Sequence, residues 1–331
     1  MSRIICVTAN PAIDVVYRLP GLHVGEQNTA ETCRAVPSGK GFNVARALTA
    51  LGVRTLALGV VGEMDVSTFL QMRNETCEIE LVQRSGATRK CVTLIDSANG
   101  RITHVRAPGE PVDPADLQRL AALALRSASA GDVMVLSGSL PPAARPTYYA
   151  EIVEQCRKFG VKALLDTSGP ALEHGSSAGA DVLKPNLHEL EQLAGPLSGA
   201  SAIAAAVRER FSSRSVVVVS MGGEGALLLR HGQAPLLANL AVRDGGYPAS
   251  RPGTGDAMVA GLALALLQGS AVDEMLRCGV ACGSASLFES VPGALDVSRV
   301  AELRRQVIIQ ERPAPSGGDE ILDEKLLQKP K

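Results

Sequence analysis

The sequence has no tryptophan and few other aromatic residues, with five Phe and four Tyr among 331 residues. Proteins that bind single-stranded nucleic acid stack the bases on aromatic side chains, and such platforms are scarce here. Positive charge is not in excess either, because 33 Lys and Arg are balanced by 34 Asp and Glu and form no basic stripe. We therefore expect no nucleic-acid partner.

Long apolar runs and paired cysteine motifs are also missing. The apolar run between Asp256 and Gln268 is shorter than the about 20 residues needed to cross a bilayer, so we expect no membrane partner. The seven cysteines are dispersed, odd in number and without a CxxC motif, which is typical of free thiols in a reducing compartment. No signal-like apolar segment develops before Asn10. These features predict a cytoplasmic protein.

The hydrophobic content of 46% is enough for a large core, and short apolar runs alternate with helical patterns. The predicted strands are residues 4–7, 56–60, 133–136, 163–165, 182–183 and 216–219. The predicted helices are residues 43–51, 115–126, 146–159, 187–194, 200–211, 254–268, 272–288 and 297–308. Continuous apolar strands with helices between them indicate an α/β fold whose mostly parallel sheet is covered on both faces.

Polar residues follow several of these strands directly, namely Asn10, Ser137, Asp166, Lys184 and Ser220. Ligands of open parallel sheets bind beyond the carboxyl ends of the strands. The strand ends therefore predict where a binding site lies.

A glycine-rich turn formed by Gly253, Thr254 and Gly255 leads into the apolar helix that begins near Asp256. The unpaired N–H groups at such a helix start form an anion site, and phosphate is a common guest. Asp256 has two interpretations from this motif alone. It is either a favourable acid at a helix N-terminus or a base that removes a proton from an alcohol.

A second glycine-containing segment, SGKGFNVA, occupies residues 38–45 and runs into a helical pattern. It lacks the GxxxxGK[ST] spacing of a P-loop. Together with GTGDAMVAG at residues 253–261, it resembles the paired signatures of the PfkB/ribokinase family of carbohydrate kinases, GGKGxNxA and GAGDxFxxG. Ser38 and Thr254 are the departures, and both residues still permit a tight turn.

Five further motifs follow the order found in that family. They are TANPAID at 8–14, VLSGSLP at 135–141, DTSG at 166–169, LKPNLHEL at 183–190 and VSMGGEGA at 219–226. The first two most resemble the sugar-phosphate branch, which includes 1-phosphofructokinases, tagatose-6-phosphate kinases and minor 6-phosphofructokinases. The resemblance implies a ribokinase-like three-layer α/β/α fold with a small β-sheet lid.

The resemblance also implies an ATP-dependent kinase that acts on a hydroxyl of a sugar phosphate. Lys40 stands where the minor 6-phosphofructokinases tend to have glycine, and GEQN at residues 25–28 resembles the GExN of 1-phosphofructokinases. Conversion of fructose 1-phosphate to fructose 1,6-bisphosphate is therefore the first expectation. Tagatose 6-phosphate and fructose 6-phosphate remain alternative acceptors. A sugar- or nucleotide-binding regulator without catalysis is a further alternative, which the retention of Asp256 disfavours.

Residue roles carry over by position in the motifs. Asp256 is the expected catalytic base, and Gly253, Thr254 and Gly255 form the N–H cradle. The residues expected to bind the sugar phosphate are Asp14, Gly39, Lys40, Asn43, Arg89 and Ser139. Those expected to bind ATP are Lys184, Ser220, Gly222 and Gly225. Asn186 and Glu189 are the expected magnesium residues, acting through water if not directly, because Mg²⁺ keeps most of its waters.

Structural interpretations of the same residues stay open. Asn186 and Glu189 have the spacing of a helix capping box, which fits equally well. A plain hairpin turn would explain Gly222 and Gly225. Asp14 suits a turn between strand and lid, and Asn43 suits a helix cap.

Two segments, residues 15–36 and 89–105, alternate like strands without helices between them. The resemblance implies a lid over the sugar, and an edge hairpin of the main sheet is the alternative. Because such short sheets need cover, we expect a homodimer joined through the lids. We expect residues 1–312 to form a single kinase domain and residues 313–331 a disordered tail. Residues 63–80 depart from the family pattern, and their structure is not predicted.

Overall fold

The computed structural model describes residues 2–240 and 252–312. The strands are β1 (Ile4–Thr8), β2 (Ala12–Leu19), β3 (Thr32–Ser38), β4 (Thr55–Gly62), β5 (Cys77–Arg84), β6 (Lys90–Asp96), β7 (Ile102–Val105), β8 (Val133–Ser137), β9 (Lys162–Asp166), β10 (Val182–Leu183), β11 (Val216–Ser220), β12 (Ala226–Leu229), β13 (Leu236–Leu240) and β14 (Val307–Glu311). The helices are α1 (Lys40–Ala50), α2 (Val66–Leu70), α3 (Pro114–Arg126), α4 (Tyr148–Lys158), α5 (Pro170–Ser177), α6 (Leu187–Ala194), α7 (Gly199–Arg210), α8 (Thr254–Gln268), α9 (Val272–Ser286) and α10 (Val297–Gln306).

The main sheet has ten strands within the described residues, in the order β14-β13-β12-β11-β10-β9-β8-β1-β4-β5. The seven strands β5, β4, β1, β8, β9, β10 and β11 run parallel, and β12, β13 and β14 add an antiparallel edge. The chain places β4 on one side of β1 and β8 on the other. The order in which the chain adds strands to the sheet therefore reverses at β1, and open α/β sheets bind ligands in the crevice that such a reversal creates.

Helices cover both faces of this sheet, which gives the predicted three layers. One apolar cluster joins the sheet to α1, α8, α9 and α10, and the other joins it to α3, α4, α5, α6 and α7. Helix α8 is apolar around its whole circumference and is buried along most of its length. A helix of this kind is stable only inside a core, which explains why it packs against both α1 and α9.

A separate small sheet has the strand order β3-β2-β6-β7. Strand β2 pairs antiparallel with β3 and parallel with β6, and β6 pairs antiparallel with β7. The small sheet expected from residues 15–36 and 89–105 is therefore present, and the edge-hairpin alternative is wrong. Its first two strands reach further than predicted, beginning at Ala12 and ending at Ser38, where β3 leads directly into α1.

Several elements differ from the sequence-based expectations. The helix predicted for residues 297–308 ends at Gln306, and the apolar residues after it form β14, which pairs with β13. Strand β5 and helices α2 and α5 were not predicted. Residues 63–80, left without a prediction, form a 3₁₀ turn, α2 and the beginning of β5. The tail prediction for residues 313–331 lies outside the described residues.

A helix long and apolar enough to cross a membrane is not found in the described part of the chain.

Candidate active site

The polar residues that follow the parallel strands meet at one edge of the main sheet, as predicted. Asp166 ends β9, Lys184 follows β10, and both contact each other across the edge. Helices α1 and α8 begin at the same edge and bring Lys40, Asn43 and Asp256 to it. The two glycine-containing motifs are about 200 residues apart in the sequence, and in the structure a hydrogen bond between Asn43 and Asp256 connects them.

Two glycines make this approach possible. Gly39 has a φ of 112°, and a Cβ there would lie 2.9 Å from the Cα of Pro11. Gly253 has a φ of 90°, and a Cβ there would lie 2.7 Å from the Cα of Pro292. Any L side chain at these positions would combine backbone strain with a clash against main chain. Glycine is thus required where each helix starts.

Asp256 lies in the first turn of α8 and is 5% exposed. Its Oδ2 accepts a hydrogen bond of 2.8 Å from Nδ2 of Asn43. Burial raises the pKa of Asp256 to about 6, because the charged form loses its hydration and the nearby Lys40 only partly compensates. A carboxylate with a pKa near neutrality can both take up and release a proton, which is the property of a general base.

Asp166 is fully buried and accepts three side-chain hydrogen bonds. Ser137 donates to its Oδ2 at 3.0 Å, and the Nζ atoms of Lys40 and Lys184 each lie 3.2 Å from its Oδ1. Burial on its own would raise the pKa of Asp166, but the two lysines outweigh it and hold the pKa below its usual value. Asp166 therefore stays ionised and fixes two cations at the sheet edge.

Lys40 lies between the acidic groups of the site. Its Nζ is 3.2 Å from Asp166 and 3.8 Å from Oε1 of Glu189, and about one third of its side chain is exposed. Burial lowers the pKa of Lys40, but the neighbouring carboxylates, led by Asp166, reverse this effect and raise it. Lys40 is therefore a permanent cation that faces the open part of the site.

Asp14 lies on β2, at the base of the small sheet, and is 5% exposed. Its Oδ2 accepts a hydrogen bond of 2.7 Å from the hydroxyl of Ser38. The same hydroxyl oxygen lies 3.1 Å from Oδ1 of Asn43, whose Nδ2 reaches Asp256. Polar groups thus extend without a break from the small sheet to the first turn of α8.

Asn186 and Glu189 form a capping box at the start of α6. The Asn186 side chain accepts from the backbone N–H of Glu189 at 2.7 Å, and the Glu189 carboxylate accepts from the backbone N–H of Asn186 at 2.9 Å. The structural interpretation of this pair is confirmed. Oε1 of Glu189 still points at Lys40, so one oxygen faces the site.

A direct metal cage is not found in residues 2–240 and 252–312, where no three His, Cys, Asp or Glu side chains converge suitably. The oxygen atoms of Asn186 and Glu189 fit a hydrated magnesium ion, which needs few protein ligands and whose bound waters donate hydrogen bonds to carboxylates. They do not fit a metal bound directly by several side chains.

The predicted ATP residues lie next to this helix start. Ser220 ends β11 and pairs with Asn186 in an isolated parallel bridge. Gly222 begins a 3₁₀ turn and Gly225 follows it, and the turn reverses the chain into β12, so the hairpin interpretation of these glycines is confirmed. This turn borders the same sheet edge as Lys184.

Comparison with known proteins agrees with this arrangement. The profile of the pfkB family carbohydrate kinases matches residues 1–295. The chain belongs to the pfkB family of carbohydrate kinases. A 1-phosphofructokinase of Rhodobacter capsulatus is 35% identical over 315 residues, which cover 94% of this chain and 98% of that protein. A tagatose-6-phosphate kinase of Staphylococcus epidermidis is 29% identical over 315 residues, which cover 93% and 99%.

Solved structures give the same assignment. The phosphofructokinase-2 from Escherichia coli in complex with fructose-6-phosphate superposes with a TM-score of 0.81 at 26% identity, covering 92% of this chain and 99% of that one. The large mostly parallel sheet and the smaller sheet are thus those of a pfkB kinase.

Two of the residues predicted for the sugar phosphate are placed differently from the rest of this pfkB site. The guanidinium of Arg89 donates to the backbone carbonyls of Asn10, Pro11 and Ala107, so it ties the small sheet to the end of β1. Ser139 is exposed after β8, and its Oγ is 3.5 Å from Nδ2 of Asn10, at the limit of a hydrogen bond. Among the described residues, neither forms a hydrogen bond or an ion pair with Asp14, Asn43 or Asp256.

Three residues of the site were not among those predicted from the sequence. Asp166 was noted as a strand end, and its DTSG motif was the signal that it belongs to the site. Ser38 was noted only as a departure from the pfkB signature. Arg46, whose guanidinium lies 3.0 Å from Oδ1 of Asn43, had no signal at all.

Proposed function

We propose that this chain transfers the terminal phosphoryl group of ATP to a hydroxyl of fructose 1-phosphate and so makes fructose 1,6-bisphosphate. The observation that carries the proposal is the buried carboxylate of Asp256, with its pKa near 6, at the glycine-rich start of α8. Three 1-phosphofructokinases at 32–36% identity, each matching 80% or more of this chain, support the choice of acceptor.

Asp256 takes the proton from the attacking hydroxyl as the oxygen forms its bond to phosphorus. The backbone N–H groups of Gly253, Thr254 and Gly255 stabilise the charge that develops on the moving phosphoryl group, since they lie at the positive end of α8. Lys184, fixed by Asp166, adds positive charge beside the transfer path.

Asp14, Gly39 and Asn43 hold the sugar from the α1 side, with Ser139 at the end of β8. Lys40, which is partly exposed, binds the acceptor's phosphate while keeping its contact with Asp166. Arg89 approaches the same phosphate from the small sheet, and to do so it must exchange one of its carbonyl partners for the anion.

Ser220, Gly222 and Gly225 border the nucleotide, with Lys184 next to its phosphates. Magnesium bound with ATP neutralises charge on those phosphates. Asn186 and Glu189 would hold the hydrated ion through its waters, and the oxygen of Glu189 that faces Lys40 would be the one available to it.

A second acceptor, tagatose 6-phosphate or fructose 6-phosphate, is favoured by the tagatose-6-phosphate kinase at 29% identity and by the solved complex with fructose-6-phosphate. In both cases the chemistry at Asp256 is unchanged and only the position of the acceptor's phosphate differs. The retention of Asp256 and its glycine cradle speaks against the alternative of a regulator without catalysis.

We also propose that two copies pair through their small sheets. The edge strands β3 and β7 present unpaired backbone and exposed residues, among them Val105 at 56% exposure. An open edge of this kind is an aggregation hazard unless it is covered. Sedimentation at micromolar concentration should show a dimer, and a monomer with full activity would contradict this arrangement.

The proposed domain and compartment complete this picture. We propose that residues 1–312 form a single kinase domain. All seven cysteines are free, and six of them are buried, which suits a reducing cytoplasm.

The decisive experiment measures ATP consumption with a panel of fructose 1-phosphate, fructose 6-phosphate and tagatose 6-phosphate. Phosphorus NMR of the product then locates the new phosphate on the sugar. The highest kcat/KM with fructose 1-phosphate supports the proposal. Preference for a 6-phosphate would replace the acceptor, and no turnover with any of the three would contradict the reaction.

A further inference from the structure

Arg46 joins three segments below the candidate active site. Its guanidinium donates to Oδ1 of Asn43 on its own helix, to the carbonyl of Pro37 at the end of β3, and to the carbonyl of Pro292 in the loop before α10. That loop packs closely on Gly253 and on the backbone of Asn43 through Gly293. The guanidinium therefore joins α1, the end of β3 and the loop before α10 beside the Asn43 side chain.

The chemistry of these groups fixes which way the Asn43 carboxamide faces. A guanidinium can only donate hydrogen bonds, and an ionised carboxylate can only accept them. Asn43 lies between the two, so its oxygen faces Arg46 and its nitrogen faces Asp256. The opposite orientation would place its N–H groups against a cation and its oxygen against a carboxylate. Ser38 has one hydroxyl proton and its shorter contact is with Asp14, so it is the weaker candidate for this task.

We propose that Arg46 is a positioning residue that holds the Asn43 carboxamide in the orientation that donates a hydrogen bond to Asp256. The inference rests on the proposed function only in that Asp256 is the base. With the amide held, one carboxylate oxygen of Asp256 accepts from Asn43, and no other hydrogen bond to this carboxylate occurs among the residues the structure describes. The second oxygen is left to receive the proton of the acceptor hydroxyl.

The charges near Asp256 and Arg46 also affect the pKa of Asp256, and their effect must be distinguished from that of the Asn43 orientation. Asp256 faces Lys40, Asp166 and Lys184, and Arg46 acts on it as a further cation. Arg46 itself faces Asp14, Arg34 and Cys77 besides Asp256. Burial lowers the pKa of Arg46 to about 10, so it remains a cation at neutral pH. Loss of its charge alone would raise the pKa of Asp256, and the test therefore needs a variant that keeps the charge.

The test substitutes R46K in the wild-type and the N43A backgrounds. Lysine keeps the positive charge but offers a point donor, which cannot replace a planar fork that serves Asn43 and two carbonyls at once. The pKa of Asp256 is read from carbon NMR of protein labelled at aspartate, with the signal assigned from D256N. This readout needs no turnover, so it separates failure of the inference from failure of the proposed reaction. R157K is the matched control, because Arg157 also bridges to a backbone carbonyl, that of Ala178, on the outer helix layer.

We expect R46K to raise the pKa of Asp256 by about one unit and to lower kcat at pH 7 about tenfold, because the amide is free to turn its oxygen towards the carboxylate. In the N43A background R46K should change neither quantity, and R157K should leave both at their wild-type values. R46M provides the second variant. Because it also removes the positive charge, it should raise the pKa of Asp256 in both backgrounds, but by a larger amount in the wild-type background than in N43A. A wild-type pKa and kcat in R46K, or a shift of equal size in both backgrounds, would overturn the inference.

Discussion

Asp166 and Asp256 are both buried carboxylates at the same edge of the main sheet, yet their pKa values move in opposite directions. Asp166 accepts hydrogen bonds from two lysines and a serine, and its pKa is lowered. Asp256 accepts one bond from a neutral amide, and its pKa is raised to about 6. Burial is common to the two, so the donors around each group decide its state.

The comparison shows how one site keeps a fixed charge and a movable proton side by side. Asp166, with Lys40 and Lys184, is a permanently ionised anchor whose loss would release two cations. Asp256 is held weakly enough to exchange its proton near neutral pH. The two carboxylates are thus suited to different tasks in phosphoryl transfer, namely charge placement and base catalysis.

The largest expected effect is on turnover. D256N should lower kcat by about 10²–10⁴-fold with little change in KM for ATP, because an amide of the same shape cannot accept the hydroxyl proton. Steady-state kinetics on the folded variant measures this. D132N is the matched control, since Asp132 is also buried but precedes β8 at the opposite edge of the sheet. Near-normal turnover in D256N would remove the assignment of the base.

The next largest effect should be on stability at Asp166. D166N should reduce the free energy of unfolding by about 3–5 kcal/mol, because Lys184 is left buried without its counter-charge. Denaturant unfolding at pH 7 measures the change. Adding K184M to D166N should recover most of the loss. If D166N alone costs less than about 1 kcal/mol, the ion pair is not the anchor described here.

The same type of substitution at Asp256 should increase the free energy of unfolding, whereas at Asp166 it should decrease it. Because the pKa of Asp256 is raised in the folded state, the folded protein binds this proton more readily than the unfolded chain does. Stability is therefore lost as the pH rises from about 4 to about 6 and stays reduced above that. D256N should be more stable than wild type by about 1–3 kcal/mol at pH 8 and nearly equal to it at pH 4. Unfolding curves at both pH values test this. A D256N variant less stable than wild type at pH 8 would show that the ionised carboxylate of Asp256 does not destabilise the folded protein.

The smallest effects should appear in substrate affinity. Alanine at Lys40 or at Arg89 should raise KM for the sugar phosphate about tenfold and leave KM for ATP nearly unchanged, because each loses a charged contact with the acceptor's phosphate. Lys90 is exposed and adjacent to Arg89, so K90A is the control for a loss of charge on the small sheet. Equal effects on both substrates would assign the two cations to the nucleotide or to folding.

The parallel core of the fold could be predicted because its signals are local. Helix α8 has the predicted bounds, since a glycine turn precedes it, Gly269 ends it, and its residues are apolar throughout. The antiparallel edge could not be predicted in the same way. Strand β14 is a run of five residues attached to the end of a helix, and only its pairing with β13, about 70 residues earlier, makes it a strand.

The candidate active site also has a part that the sequence predicted and a part that it did not. Motifs identified Asp14, Asn43 and Asp256 one by one, and the structure brings them into a continuous set of polar contacts. The contacts of Arg46 could not be inferred, because its partners at Pro37 and Pro292 are backbone carbonyls that leave no trace in residue type. The hydrogen bonds from Arg89 to three backbone carbonyls could not be predicted from the sequence for the same reason.

The late position of α8 in the chain affects how the protein is made. Strand β1 and helix α1 are synthesised first, but the helix that covers this face of the sheet begins only at Thr254. At the usual rate of translation, about 5–20 residues per second, the apolar side of α1 waits on the order of tens of seconds for its partner. A ribosome that stalls before residue 254 leaves that surface open to chaperones and to aggregation.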